Sequence, residues 1–179
     1  MTNSMNNVKA PLLAQIGALF PEVRLKKDRD REITFEVQPR DLHQVLTYLK
    51  NAGWRQLSMI SCVDWIEDGQ FELVYNVFDW TQGLRVLLSM KIDRGEAQAM
   101  TIINLFDGAM YYEREIHEFF GVVFLGNEDA LKSLFLERWD DIPPLRKDFD
   151  SRAYSDKKYV KRFYDPVYGP QGGASFERS

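Results

Sequence analysis

Thiol and imidazole are scarce in this sequence: Cys62 is the only cysteine, and His43 and His117 are the only histidines, among 179 residues. A lone thiol closes no internal disulfide, and an iron–sulfur cluster needs about four thiolates, so this chain alone builds neither. Cys62 lies in the apolar run 57–66, where a small buried hydrophobe is its expected role, and the chain reads as cytosolic or exposed to the cytosol. His117-Glu118 opens like a zinc-binding His-Glu-x-x-His helix, but position 121 is Gly and His43 is far away in sequence, so both histidines read as structural. No Gly-x-Ser-x-Gly elbow, Walker loop or Gly-x-Gly-x-x-Gly follows a strand-like run.

Long apolar runs are missing too. Met1 to Ala10 is polar and lacks the apolar centre of a signal peptide, and no run approaches the roughly 18 residues of a membrane span, so any membrane association is expected through partners. The net charge of −4 offers nucleic acid no general attraction. Lys157, Lys158, Lys161 and Arg162 form a local basic cluster, read as solvated because no aromatic platform precedes it. What is present, 45% hydrophobic and 28% charged residues, suits one folded domain with an ordinary core.

Val8, Leu12, Leu13, Ile16, Leu19 and Phe20 recur at helical spacing up to Pro21. Ile33, Phe35 and Val37 alternate as in a half-buried strand, and Asp41 opens a second helix over Leu42, Val45, Leu46 and Leu49 that Gly53 ends. Strand-like runs at 54–66, 71–80 and 84–92 are separated by turns at Asp68-Gly69 and Thr81-Gln82-Gly83. A third turn at 93–96 precedes a further strand at 99–103. Asp107 is read as the cap of a helix that ends at Phe120 before Gly121, and 129–135 as one more short helical turn. This order predicts an α+β fold, a mostly antiparallel sheet with helices packed on one face. The predicted domain is 1–150, followed at 151–179 by an extended, partner-contacting or flexible tail rich in Tyr, Lys, Asp and Gly. The tail's Tyr154, Tyr159, Phe163, Tyr164 and Tyr168 have no core of their own and are expected to lie over a partner.

The densest pattern runs from Tyr111 to Phe149. Glu113-Arg114-Glu115 stands against Phe119-Phe120-Gly121, and Arg146-Lys147-Asp148 against Phe149. Glu113 with His117, and Arg114 with Glu118, are spaced to meet on a helix surface, each pair worth about 0.2–0.5 kcal/mol. The two charged triplets are read as an internal clamp or a partner interface, with Arg114 and Asp148 as neighbours; two solvated faces are the alternative. Phe119, Phe120, Phe124, Trp139 and Phe149 supply apolar anchors beside them. The carboxylate pairs Glu113/Glu115 and Asp140/Asp141 could do acid–base work, as in a free-standing hydrolase, but nothing in the sequence converges them on a pocket.

Glu-Arg-Glu-Ile-His-Glu-Phe-Phe-Gly-Val-Val-Phe-Leu-Gly followed by Pro-Leu-Arg-Lys-Asp-Phe resembles the signature of the complex I 30 kDa subunit family, a component of NADH:quinone oxidoreductase. Ser61-Cys62-Val63-Asp64-Trp65 is similar to a second, weaker family feature. The resemblance implies a cofactor-free α/β subunit of a hydrophilic arm, with iron–sulfur clusters held by neighbours. It implies as partners a large quinone-site or nickel–iron-type subunit and iron–sulfur subunits, at the cytoplasmic face of the cell membrane. The positions carried over are Glu113, Arg114, Glu115, Phe120, Gly121, Gly126, Pro144, Leu145, Arg146, Lys147 and Asp148, as structural and assembly residues and not as catalysts. Glu118 stands where the family commonly has Asp, and Asn127-Glu128 and Ile142-Pro143 replace Gly-His-Pro turns. The same subunit type occurs in energy-converting nickel–iron (NiFe) hydrogenases and in ferredoxin- or formate-linked relatives, so the resemblance implies one of these or complex I.

Overall fold

The computed structural model describes residues 2–160; Lys161, Arg162, Phe163, Tyr164, Tyr168 and the glycine cluster at 169–173 lie outside the described residues. The described residues up to Phe149 form one compact unit, and those from Asp150 on belong to a second. The first unit is built on a five-stranded sheet ordered β1 (Arg24–Arg29), β2 (Glu32–Glu36), β5 (Leu84–Asp93), β4 (Gln70–Asp79) and β3 (Gln56–Trp65). All neighbours are antiparallel except β2 and β5, which run parallel. The α+β, mostly antiparallel expectation therefore holds.

Alternation decides which face is buried. Ile33 and Phe35 of β2, Phe71, Leu73, Tyr75 and Val77 of β4, and Val86, Leu88, Met90 and Ile92 of β5 point to one side and are buried. The helices α1 (Thr2–Leu19), α2 (Leu42–Asn51) and α3 (Ala109–Phe120) cover that side through Leu12 and Ile16, Val45, Leu46 and Leu49, and Ile116, all within one core. Such side chains contribute about 1.5–3 kcal/mol each when fully buried. On the opposite face Glu72 is held by Lys26 at 2.7 Å and Trp65 Nε1 at 2.8 Å, and it accepts a short hydrogen bond from Ser89. Burial opposes ionisation of Glu72, but the bonds from Lys26, Ser89 and Trp65 outweigh it and bring its pKa down to about 2.

Strand β1 is not announced by the sequence pattern. Its residues, Arg-Leu-Lys-Lys-Asp-Arg, are exposed at every position and show no hydrophobic period; the strand forms by pairing with β2 at the sheet edge. A second small sheet pairs β6 (Gln98–Met100) in parallel with β7 (Val123–Leu125), with α3 as the crossover between them. That crossover fixes where the signature residues of α3 point. In the second unit, Ser151–Lys158 forms the helix α4, where the sequence suggests an extended tail: the Asp150 carboxylate accepts the amides of Arg152 and Ala153 and caps it.

Candidate functional site

Helix α3 places Glu113 inward, and its side chain is fully buried. Its carboxylate accepts the Thr101 hydroxyl at 2.6 Å, the Ile102 amide at 2.9 Å and the Asn127 side-chain amide at 2.8 Å. Glu113 thus ties the chain leaving β6 to the chain leaving β7. Burial raises its pKa above the ordinary range, and these three hydrogen bonds only partly offset that. Gly126 lies at φ +92°, and an added Cβ there would stand 3.0 Å from Thr101 Cγ2, so the tie needs glycine for both conformation and space.

The helix-surface pairs that the spacing predicts do not form. Glu113 is inside, and His117 Nδ1 lies 2.9 Å from the Val122 carbonyl oxygen. Arg114 donates to the carbonyls of Lys132 and Ser133, at 3.3 and 2.6 Å. Glu118 accepts the amides of Leu134, Phe135 and Leu136 at 3.0, 2.9 and 2.8 Å. Arg114 and Glu118 therefore hold the two kinds of backbone group of one irregular segment, 132–136, because unpaired loop amides and carbonyls attract an ion more strongly than a solvated i,i+4 partner does. Nor is Arg114 paired with Asp148, contrary to the sequence expectation.

Asp148 belongs to a different cluster, built around Asp64 on β3. The Asp64 side chain is fully buried; it accepts Arg94 Nε at 2.8 Å, Arg94 Nη2 at 3.1 Å and the Lys147 amide at 2.8 Å. Arg94 Nη2 also donates to Asp148 at 2.7 Å, and Arg146 Nε stands 3.4 Å from Asp148. Both guanidinium groups lie over the Phe71 ring, 5.5 and 5.6 Å from its centroid, and Phe120 meets the same ring edge-on. Burial opposes ionisation of Asp64, but the Arg94 and Lys147 bonds outweigh it and hold the carboxyl below its usual range. Gly121, at φ +81°, ends α3; an added Cβ would stand 3.2 Å from Pro143, so the 143–148 segment lies directly on the helix end. The Leu145 amide donates to the Phe119 carbonyl at 3.0 Å, completing the seat.

These contacts brace the 143–148 segment against the end of α3 and the tip of β3. Glu113 is buried and Glu115 exposed, so that pair converges on nothing. Cys62 is a buried free thiol; burial first, then the Asp64 carboxylate, push its pKa up to about 12, which leaves it inert. Among the described residues no three His, Cys, Asp or Glu side chains are grouped to hold a metal ion, and no helix is long and apolar enough to cross a membrane.

Of the aromatic anchors that the sequence suggests, Phe124 is buried and the others are half-buried: Phe120 packs on Phe71, and Trp139 packs on Phe149. The exposed apolar groups are others. Phe135, 63% exposed, stacks on Phe119, and Leu145, 54% exposed, shares a hollow with Met59, Cys62, Tyr112, Glu115 and Phe119. Asp64 and Arg94, the centre of the brace, do not stand out in the sequence as a pair. Asp64 follows Ile60 and Cys62 at inward, alternate positions of β3, and an acid in that register demands a buried cationic partner.

Residues 35–155 match the protein family described as respiratory-chain NADH dehydrogenase, 30 Kd subunit. The mitochondrial NADH-ubiquinone oxidoreductase 30.4 kDa subunit of Neurospora crassa is 34% identical over 132 residues, covering 72% of this chain and 46% of that protein. A subunit of the NADH-quinone oxidoreductase of Mesorhizobium japonicum is 31% identical over 156 residues, covering 82% of this chain and 76% of that one. Among solved structures, a chain of the membrane-bound sulfane sulfur reductase, an archaeal respiratory membrane complex, superposes with a TM-score of 0.80 at 31% identity, covering 88% of this chain and 95% of that chain.

Proposed function

The chain belongs to the respiratory-chain NADH dehydrogenase 30 kDa subunit family, and from that premise we propose that it is a non-catalytic hydrophilic-arm subunit of a complex-I-like oxidoreductase. In this reading it supports assembly of a machine that moves electrons through iron–sulfur clusters held by neighbours and couples them to ion translocation. It carries no cofactor itself, meets the membrane only through its partners on the cytoplasmic face, and rests against a large quinone-site or nickel–iron-type subunit.

The observation that carries the reading is the use made of the signature charges. Glu113 is spent on buried contacts, Arg114 on loop carbonyls, and Arg146 and Asp148 on side-chain pairs at the surface of the brace, all within the chain, while Leu145 and Phe135 beside them stay exposed. Charges held internally beside uncovered apolar side chains are what a rigid docking element requires. A second reading is the equivalent subunit of an energy-converting hydrogenase or a ferredoxin- or formate-linked relative; the archaeal neighbour favours it only in belonging to a respiratory membrane complex that is not named as an NADH dehydrogenase.

Affinity purification through this chain from detergent-extracted native membranes tests the proposal. Iron–sulfur subunits are expected in the purified material; an NADH-oxidising flavoprotein among them selects complex I, and a nickel-site large subunit selects the hydrogenase type. A chain recovered without redox subunits would overturn the proposal.

A further inference from the structure

The two edges of the main sheet are treated differently. β1 is guarded by five charged side chains in six residues and by an irregularity between Leu25 and Lys27. β3, the other edge, is ten residues long, and its stretch Met59-Ile60-Ser61-Cys62-Val63 carries no charge. Its own irregularity falls earlier, between Leu57 and Met59, where the Ser58 carbonyl is taken by the Tyr112 hydroxyl at 2.7 Å. Beyond that point one side of the β3 backbone pairs with β4, and the outward groups find no other strand among the described residues. An uncharged edge with no strand beyond it, flanked by α3 on one side only, is a template for strand addition.

The hollow beside this edge specifies what fits. Met59, Ile60, Ser61 and Cys62 form one wall, and Tyr112, Ile116, Phe119, Phe120 and Leu145 face them. Glu115 is the one charged residue lining it, and it makes no hydrogen bond or ion pair among the described residues. The complement is an extended segment with apolar side chains at alternate positions and a lysine or arginine opposite Glu115.

We propose that the free edge of β3 is a strand-docking site, occupied in the assembly by such a segment of a partner subunit. This rests on the assembly reading above and adds the place and chemistry of the contact. Strand addition slows the exchange of outward-pointing backbone amides, which docking by side chains alone does not do.

Hydrogen exchange of the full chain, isolated and within the detergent-extracted complex, provides the test. Alternate amides of 59–63 are expected to exchange at least tenfold more slowly in the complex. A photo-crosslinking amino acid at position 59 is expected to capture a partner segment carrying a basic residue. Glu115→Lys is expected to lower retention of the chain in the complex at least tenfold with its thermal midpoint unchanged, and reversing the charge of the captured basic residue restores it. Unchanged exchange in a complex that still contains the redox subunits overturns the docking site and leaves the assembly reading standing. Cross-links only to a second copy of this chain also overturn the site, and a chain without redox partners overturns both readings.

Discussion

Asp64→Ala removes the acid at the centre of the brace. It deletes a bidentate contact to Arg94 and the acceptor for the Lys147 amide, both at a side chain with no solvent exposure. Breaking a buried ion pair from one side costs about 3–5 kcal/mol, because the remaining charge stays buried without compensation. Arg94 keeps Asp148 at 2.7 Å, which places the guanidinium cost at the low end of that range, and the orphaned Lys147 amide adds to it. A loss of about 3 kcal/mol is therefore expected, and in a domain of this size that lowers the thermal midpoint by roughly 6–12 °C. Urea and thermal unfolding of the full chain followed by circular dichroism measure it. A double-mutant cycle with Arg94→Ala should return a coupling of about 2 kcal/mol between the two sites. A loss below about 1 kcal/mol for Asp64→Ala, or a coupling near zero, would refute the idea that this cluster holds the 143–148 segment in place.

Four further outcomes rest on the helix-end, Glu113 and Glu72 contacts. Gly121→Ala forces a side chain into positive φ and against Pro143, and should cost about 1–2 kcal/mol in urea unfolding. Glu113→Ala leaves three buried donors without their acceptor and should cost at least about 3 kcal/mol. Because the folded-state pKa of Glu113 lies above its unfolded value, the wild-type chain loses stability from this group as pH rises through that interval. Glu113→Gln should remove that slope, as unfolding at a series of pH values would show. The folded pKa of Glu72 is depressed to about 2, so its contribution is present above the ordinary glutamate value near 4.3 and fades as pH falls toward 2; Lys26→Met should flatten that acid limb.

Much of the fold is legible because alternation and helical spacing are written directly in the residues. Ile33 and Phe35, the inward residues of β4 and β5, and the α2 stripe all fall on the buried face. Pairing is less legible, since β2 and β5 lie about fifty positions apart and no local pattern announces that they run side by side in parallel. β1 carries no apolar period and exists through its partner; α4 depends on one cap, Asp150, within a strongly polar segment. At the site, the segments that meet are readable as one signature, but the partners within them are not. Charges four apart on α3 suggest surface pairs, whereas burial sends Glu113 inward and loop backbone draws Arg114 and Glu118 away from each other. Arg94 sits in a turn and gives no sign of reaching Asp64 across the fold.

The central claim is that the signature charges brace an assembly subunit and take no part in the electron-transfer chemistry. Turnover per assembled complex tests it most directly. Membranes from cells carrying Asp64→Asn, Glu113→Gln or Arg146→Met in this chain would be assayed for electron transfer and for the amount of intact complex. The account predicts that activity falls only in proportion to the complex lost, leaving turnover per complex unchanged. Full assembly accompanied by a drop in turnover of tenfold or more would contradict it.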